Sequence, residues 1–374
     1  MTAAALEAAH AAIMGAKCPE DVFGALAEAT PIAGITQAFR KLAPAVHPDV
    51  YATADATHQE MAQEAFKRLG ELRSQALEKI AAGTYGNRSA GIPGPPPVKP
   101  APVTIKSGRE TFVVGDLFTR GDVCDLYHCE TKGKVSVLKI AQHPSVNDLV
   151  TNEATQLRKL RDGVPPEQIK LLKLLPELTA SFMLAGKPAR RVNVLPLYDG
   201  YVLLSQVKAA YPGGIDFRDF VWMFKRALMA LGFAHRRGLV HGAVLPGHLL
   251  VHPLEHGAKL IDWSYSVPIG ERIKAISASH RGLYPEEVLN REPATPATDI
   301  YMLARCAIML LGIGLRKDVP PRLIAFLQGC ILRKPGHRPQ DAWALHEELD
   351  ALLQRLVGPP KYRPLIMPAA AGGK

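Results

Sequence analysis

Several residues in this chain are of types and spacings that could do chemistry. Lys139 sits in KVSVLKIA, a segment that otherwise alternates apolar residues, and Glu153 follows fourteen positions later at the head of NEATQLRKL. A lysine on a half-buried strand is ordinarily an edge-strand or snorkelling residue. Paired with a carboxylate it becomes a fixed cation. Asp262 follows a short apolar run in LIDWS, where an acid holds a metal or accepts backbone hydrogen bonds. VHGAVLPGHLLV, residues 240–251, brings His241 and His248 within one apolar stretch. It reads as a reactive loop, a loop that has lost its reactivity, or plain core. AVHPDV places His47, Pro48 and Asp49 side by side. By themselves they are a helix stop, a capping acid and an exposed imidazole.

The elements that must position these residues divide at a Pro/Gly-rich stretch, 86–107, expected to be an extended linker. Ahead of it, apolar residues recur at helical spacing in DVFGALAEA, GITQAFRKLA and the long block from HQEMAQEAF to EKIAAG. Phe39 and Phe66 are expected to face one small core. An Ala-rich opening, residues 1–17, reads as an N-terminal helix or extension. It lacks the basic n-region of a secretion signal. Beyond the linker, short strand-like runs (TFVVGDLF, VCDLYHCE, KVSVLKIA, RVNVLPLY) give way to long helical ones. This order predicts an α+β fold with a small sheet lobe and a helical lobe. GPPKYRPLIMPAAAGGK, residues 358–374, reads as a mobile tail.

A length of 374 residues suits two domains, one small and one near 250 residues. The net charge of +10 falls outside residues 1–90, where eight Lys/Arg face ten Asp/Glu, and it is scattered. Without a dense basic block, nucleic acid is not the expected partner. Cys18, Cys124, Cys129, Cys306 and Cys330 form neither a disulfide framework nor a C-x-x-C ligand set, which suits a reducing, cytoplasmic setting. YMLARCAIMLLGIGL is fifteen residues long with Arg305 inside it, a buried helix rather than a membrane span.

His47, Pro48 and Asp49 lie between a helix bearing Arg40 and Lys41 and a second helix carrying AFKRLGEL, with PEDVFGAL ahead of both. Residues 18–85 thereby resemble a J-domain, a helical hairpin joined by a His-Pro-Asp loop. The resemblance implies docking on a DnaK-type chaperone, and stimulation of its ATP hydrolysis, by Arg40, Lys41, His47, Pro48 and Asp49. Pro44 departs from the pattern and is expected to kink or shorten the basic helix.

In chain order, Lys139, Glu153, LVHGAVLPGHLLV and Asp262 resemble the protein kinase fold over about residues 108–357, with nineteen positions between Ala243 and Asp262. His241 and Pro246 fall on the family's H-R-D-L-K-P-E-N loop, and Asp262, Trp263 and Ser264 on D-F-G. YPEEV matches the close of the activation segment, TDIYMLARC the helix whose acid, Asp299, braces the loop, and HRPQDAWAL supplies Arg338. The resemblance implies an ion pair of Arg338 with Glu286, and ATP and magnesium held by Gly121, Lys139, Glu153 and Asp262, with Asp262 on the metal.

The departures bear on the chemistry. Where the family has a catalytic acid stands Ala243, a residue type that cannot take the proton of a substrate hydroxyl. General-base assistance is worth about 10²–10⁴-fold. The phosphate-facing lysine is Leu245, and the magnesium-binding asparagine is His248, an imidazole ill suited to a hard cation. Of the phosphate loop's glycines only Gly121 remains, with Asp122 and Asp125 nearby. Gly242 replaces the arginine that would answer a phosphorylated segment. No catalytic residue is expected. Two functions follow: a J-domain joined to a pseudokinase that binds a client protein and ATP, or an atypical kinase working through Lys139 and Asp262 with a relocated base. A third treats the first helices as a docking module only.

Overall fold

The computed structural model describes residues 3–24, 31–46, 48–51, 54–81, 85–86, 103–186, 188–359 and 361–368. The chain forms two compact units, Met1–Val98 and Lys99–Lys374.

In the first unit, α1 (Ala3–Met14), α2 (Pro19–Phe23), α3 (Pro31–Val46) and α4 (Ala56–Ala81) share one core. Leu6, Ile13, Phe23, Ile35, Val46, Leu69 and Leu72 are buried in it. Helix α1 is thus part of the unit and not an appendage, because Leu6 and Ile13 insert their side chains among those of α3 and α4. Phe39 and Phe66 meet across α3 and α4 at a ring-centroid distance of 6.4 Å. Pro44 does not end α3, which continues to Val46. In the last turn it forfeits one backbone bond, and the Tyr51 hydroxyl donates to Ala45 O at 2.9 Å, satisfying a terminal carbonyl. Glu20 and Lys79 join α2 to α4 at 2.9 Å.

Pro48 and Asp49 begin a short 3-10 turn, Pro48–Tyr51, between α3 and α4. His47, and the side chains of Arg40 and Asp49, lie outside the described residues, as do linker residues 87–102. Lys41 is exposed on α3.

The second unit begins with an antiparallel sheet built from β1 (Val103–Ser107), β2 (Glu110–Arg120), β3 (Cys124–Thr131), β4 (Lys134–Ala141), β5 (Ala180–Leu184) and β6 (Arg190–Pro196), in the order β1-β2-β3-β4-β6-β5. The Pro/Gly-rich surroundings of residues 103–107 predict a linker there. These residues instead pair with β2, with Ile105 opposite Phe112 and both buried. Helix α5 (Asn147–Arg161) packs against the sheet.

The helical part follows: β7 (Val202–Leu203), α6 (Leu204–Ala210), α7 (Phe217–Arg236), β8 (Leu239–Val240), β9 (Leu249–His252), β10 (Gly257–Leu260), β11 (Val267–Pro268), α8 (Glu286–Leu289), α9 (Pro296–Leu311), α10 (Pro321–Cys330) and α11 (Ala342–Val357). Helix α9 contains the first eleven residues of the fifteen-residue apolar run, through Leu311. Ile300, Leu303, Ala307 and Leu310 recur at helical spacing and are buried, while Arg305 reaches Gly282 O at the surface. Among the described residues no helix is long and apolar enough to cross a membrane.

The segment expected to be a mobile tail is docked through residue 368, apart from position 360, which is not described. Leu365 is buried and its amide donates to Pro253 O at 3.1 Å. Arg363 pairs with Asp219 at 3.1 Å, and its carbonyl meets the His256 ring at 2.6 Å. Tyr362 donates to Leu254 O, and its ring lies 4.8 Å from that of His256. One buried leucine, the ion pairs of Arg363 with Asp219 and Asp216, and an aromatic contact offset the chain entropy that proline-rich composition alone suggests is left free. Residues 369–374 lie outside the described residues.

Candidate functional site

Two short antiparallel pairings assemble the site. Val240 of β8 pairs with Val267 of β11, and Leu249 of β9 pairs with Leu260 of β10. Residues 241–248 are therefore held beside 261–266, and the Ile261 amide donates to His248 O at 2.9 Å. That register sets His248 one residue away from facing Asp262. Asp262 itself adopts φ +62°, a left-handed conformation that aspartate tolerates better than most residues.

On the sheet side, Lys139 of β4 stands opposite Asn193 of β6. Its Nζ lies 2.8 Å from Glu153 Oε1 on α5 and 3.3 Å from Asp262 Oδ1. The sequence-predicted trio therefore meets at one point. Glu153 has no solvent exposure, and its other oxygen accepts from Asn193 Nδ2 at 2.9 Å. Burial disfavours the charge on Lys139, but Asp262 and Glu153 outweigh it and hold its pKa above the ordinary value. Burial likewise opposes the Asp262 carboxylate, while Lys139 and then His248 bring its pKa below the usual carboxylate range.

Two asparagines that the sequence reading missed fix α5 here. Asn193 Nδ2 also donates to Val150 O at 2.8 Å, and Asn152 Nδ2 donates to Ser264 O and Ser266 O at 3.0 and 2.8 Å. Asn193 had a signal, an amide in the middle of the apolar run RVNVLPL. Asn152 had none, because its partners are backbone carbonyls more than a hundred residues away.

His241 is fully buried. Its Nε2 meets Ile261 O at 3.0 Å, its Nδ1 accepts from the Ala243 amide at 3.3 Å, and its ring stands edge-on to Trp263 at 4.6 Å. A carbonyl on one nitrogen and an N–H on the other define the neutral tautomer with the proton on Nε2. Burial accordingly pushes its pKa down to about 4. It is a framework residue. Asp299 braces the loop from α9, accepting from the His241 and Gly242 amides at 2.7 and 2.9 Å, with His235 Nε2 at 2.9 Å.

Ala243 and Leu245 are buried in the main core, so neither presents a polar group to the cleft. His248 Nδ1 lies 2.8 Å from Ala243 O, and its Nε2 lies 3.4 Å from Asp262 Oδ2. Gly121 closes the β2–β3 turn: its amide donates to Cys124 O and its carbonyl accepts from Gln142 Nε2, both at 2.8 Å. That amide is spent within the hairpin. Gln142 also reaches Asp125 at 3.2 Å. Burial first, then Asp262, Tyr284 and Asp122, push the Tyr265 phenol up.

Glu286 does not pair with Arg338. The partner is Glu287, whose Oε1 and Oε2 lie 2.6 and 3.1 Å from Arg338 Nη1 and Nη2, while Glu286 reaches exposed Arg333. On a helical turn Tyr284 and Val288 define the inward face, and Glu287 rather than Glu286 shares it. That spacing could have identified Glu287 from the sequence. Thr298 completes the pair, donating to Glu287 Oε1 at 3.2 Å.

These residues suit ATP and magnesium only in part. Lys139 suits a nucleotide phosphate and Asp262 a cation, but Asp262 Oδ1 is engaged by the lysine and its Oδ2 faces an imidazole in place of an amide oxygen. The donor set does not fit a pair of magnesium ions, which take oxygen ligands.

No family model matches the chain. It is similar over 170 residues, at 26% identity, to casein kinase II subunit alpha' of Saccharomyces cerevisiae, covering 40% of this chain and 47% of the relative. Calcium/calmodulin-dependent protein kinase type 1 of Caenorhabditis briggsae matches at 24% over 56% of this chain, and that of Caenorhabditis elegans at 24% over 54%. The chain spans 57% and 56% of those two, so it matches roughly half the length of each of these relatives. The similarity supports a kinase-like domain.

Proposed function

We propose, from a kinase-like domain whose transfer residues are replaced, that this protein is a non-catalytic regulator or scaffold. Its second unit holds a client protein and a nucleotide. Its first unit acts as a J-domain that recruits a DnaK-type chaperone and stimulates its ATP hydrolysis in the cytoplasm. The observation that carries the non-catalytic reading is Ala243, buried at the position where the resemblance calls for the acid that takes the substrate's proton. Leu245 and His248 remove the neighbouring cation and amide. The chaperone role is supported by the placement of Pro48 and Asp49 between α3 and α4, and by Lys41 exposed on α3.

The assembled Lys139–Glu153–Asp262 trio favours a second reading, an atypical Ser/Thr-type kinase with a relocated base. Incubation with labelled ATP and a broad protein substrate separates the two. No transfer above that of Asp262→Asn is expected, and transfer abolished by Asp262→Asn overturns the non-catalytic reading. For the first unit, the full chain is expected to stimulate the cognate DnaK-type ATPase and His47→Gln to lose the effect. Absence of stimulation leaves a docking module only. A thermal-shift titration with ATP, compared between wild type and Lys139→Ala, reports whether the cleft takes nucleotide.

A further inference from the structure

We propose that the second unit carries a further ligand site, apart from the Lys139 cleft, that takes a planar aromatic carboxylate. Helix α7, the end of α11 and the docked tail border a cavity of 680 Å³. That volume falls within the range of about 300–1,000 Å³ usual for small-molecule sites. None of Lys139, Glu153 and Asp262 lines it.

The lining is largely apolar and aromatic. Phe217, Val221, Leu353 and Val357 contribute to it, and the Trp222 ring lies flat on that of His256, with centroids 4.3 Å apart and an interplanar angle of 4°. Tyr362 joins from the tail, its ring 4.8 Å from that of His256. His256 Nε2 faces Arg363 O at 2.6 Å, and a carbonyl only accepts, so this nitrogen carries a hydrogen and the ring is held in place. A flat ligand ring extends such a cluster through offset or edge-on contacts, which an aliphatic chain does not supply. Trp222 Nε1 is shut from solvent without an acceptor among the described residues. An orphan donor of this kind is costly, and a ligand oxygen answers it.

The charge around the cavity suits a single anion. Arg218, Lys225, Lys361 and Arg363 border it against one acid, Asp350. Three of these cations already have partners: Arg218 has Asp216 at 2.7 Å, Lys225 has Asp350, and Arg363 has Asp219 at 3.1 Å and Asp216 at 3.7 Å. Lys361 is exposed and has no acidic partner among the described residues. One unanswered cation matches a carboxylate, whereas a doubly charged phosphate would call for more. Lys361 and Tyr362 belong to the tail, while Trp222 and Leu353 belong to α7 and α11. A ligand that touches both fastens the tail, and the docked tail in turn tightens the ligand.

The test uses the full chain and three probes, 2-naphthoate, naphthalene-2-carboxamide and decanoate, titrated by ligand NMR line broadening and thermal shift. Saturable binding of 2-naphthoate is expected, with Kd of about 1 mM or tighter. The carboxamide and decanoate are expected to bind at least about threefold more weakly, and Lys361→Glu to weaken 2-naphthoate by about that factor while sparing the carboxamide. Val357→Trp, which fills the cavity from a half-exposed position, is expected to abolish binding, and Lys139→Ala to leave it unchanged. In Leu365→Ala, 2-naphthoate is expected to restore protection of 361–368 from proteolysis. No saturable binding, equal affinity for the three probes, full binding in Val357→Trp or loss of binding in Lys139→Ala overturns the proposal. Should Val357→Trp fail to fold, Lys361→Glu decides, because its side chain lies outside the core: undiminished 2-naphthoate affinity there overturns the site.

Discussion

Arg338 Nη1 lies 2.6 Å from Glu287 Oε1 with both side chains sealed from solvent, and Arg338 is further held by Leu332 O and Arg333 O. The pair fastens the turn after α10 to α8. Removing one partner leaves a buried charge unanswered, so Glu287→Gln or Arg338→Met is expected to lower stability by about 3–5 kcal/mol. Glu286→Gln, at an exposed pair, is expected to stay within roughly 0.5 kcal/mol. Chemical denaturation of the three variants checks both statements.

His241 makes stability depend on pH. Its folded pKa, about 4, lies below the unfolded value near 6.5, so the folded state resists protonation while the unfolded chain accepts it. The stability it contributes is fully present above pH 6.5 and is lost as pH falls toward 4. Across that window the loss amounts to about 3 kcal/mol. Denaturation midpoints of wild type and His241→Gln at pH 7 and 4.5 are expected to converge as the pH falls.

Gly242 cannot be replaced without distortion. At φ +76° an added Cβ would stand 2.6 Å from Tyr265 O, whereas one at Gly247 meets nothing within 4 Å. Gly242→Ala is expected to cost about 1–3 kcal/mol and Gly247→Ala well under 1. Restoring an arginine at 242 alone should therefore destabilise the loop, a result that thermal melting will register.

The docked tail should be visible to proteases. Leu365→Ala is expected to cost about 2 kcal/mol through its lost burial and to expose 361–368 to limited proteolysis. In the wild type, residues 361–368 are expected to be protected.

Asn152→Ala should loosen α5. Losing the two bonds to Ser264 O and Ser266 O leaves buried carbonyls without their donor, at a cost of about 1–3 kcal/mol. Faster amide exchange in α5 and in 263–266, with α7 unchanged, is the expected signature.

Composition and periodicity alone made the division into a helical unit and a sheet-then-helix unit legible, because each element's apolar spacing reports which face it buries. The order of Lys139, Glu153 and Asp262, and the replacement of an acid by Ala243, were also readable, since residue type decides what a side chain can do. Tertiary structure alone decided the rest. The docked tail is held by Pro253, His256 and Asp219, distant in the chain, and strand β1 by its hairpin neighbour β2, pairings that their Pro-rich surroundings conceal. The choice of Glu287 over Glu286 is a matter of which helical face turns inward. The meeting of His248 with Asp262 depends on the register of β9 against β10, and a register is a property of two strands together, not of either sequence.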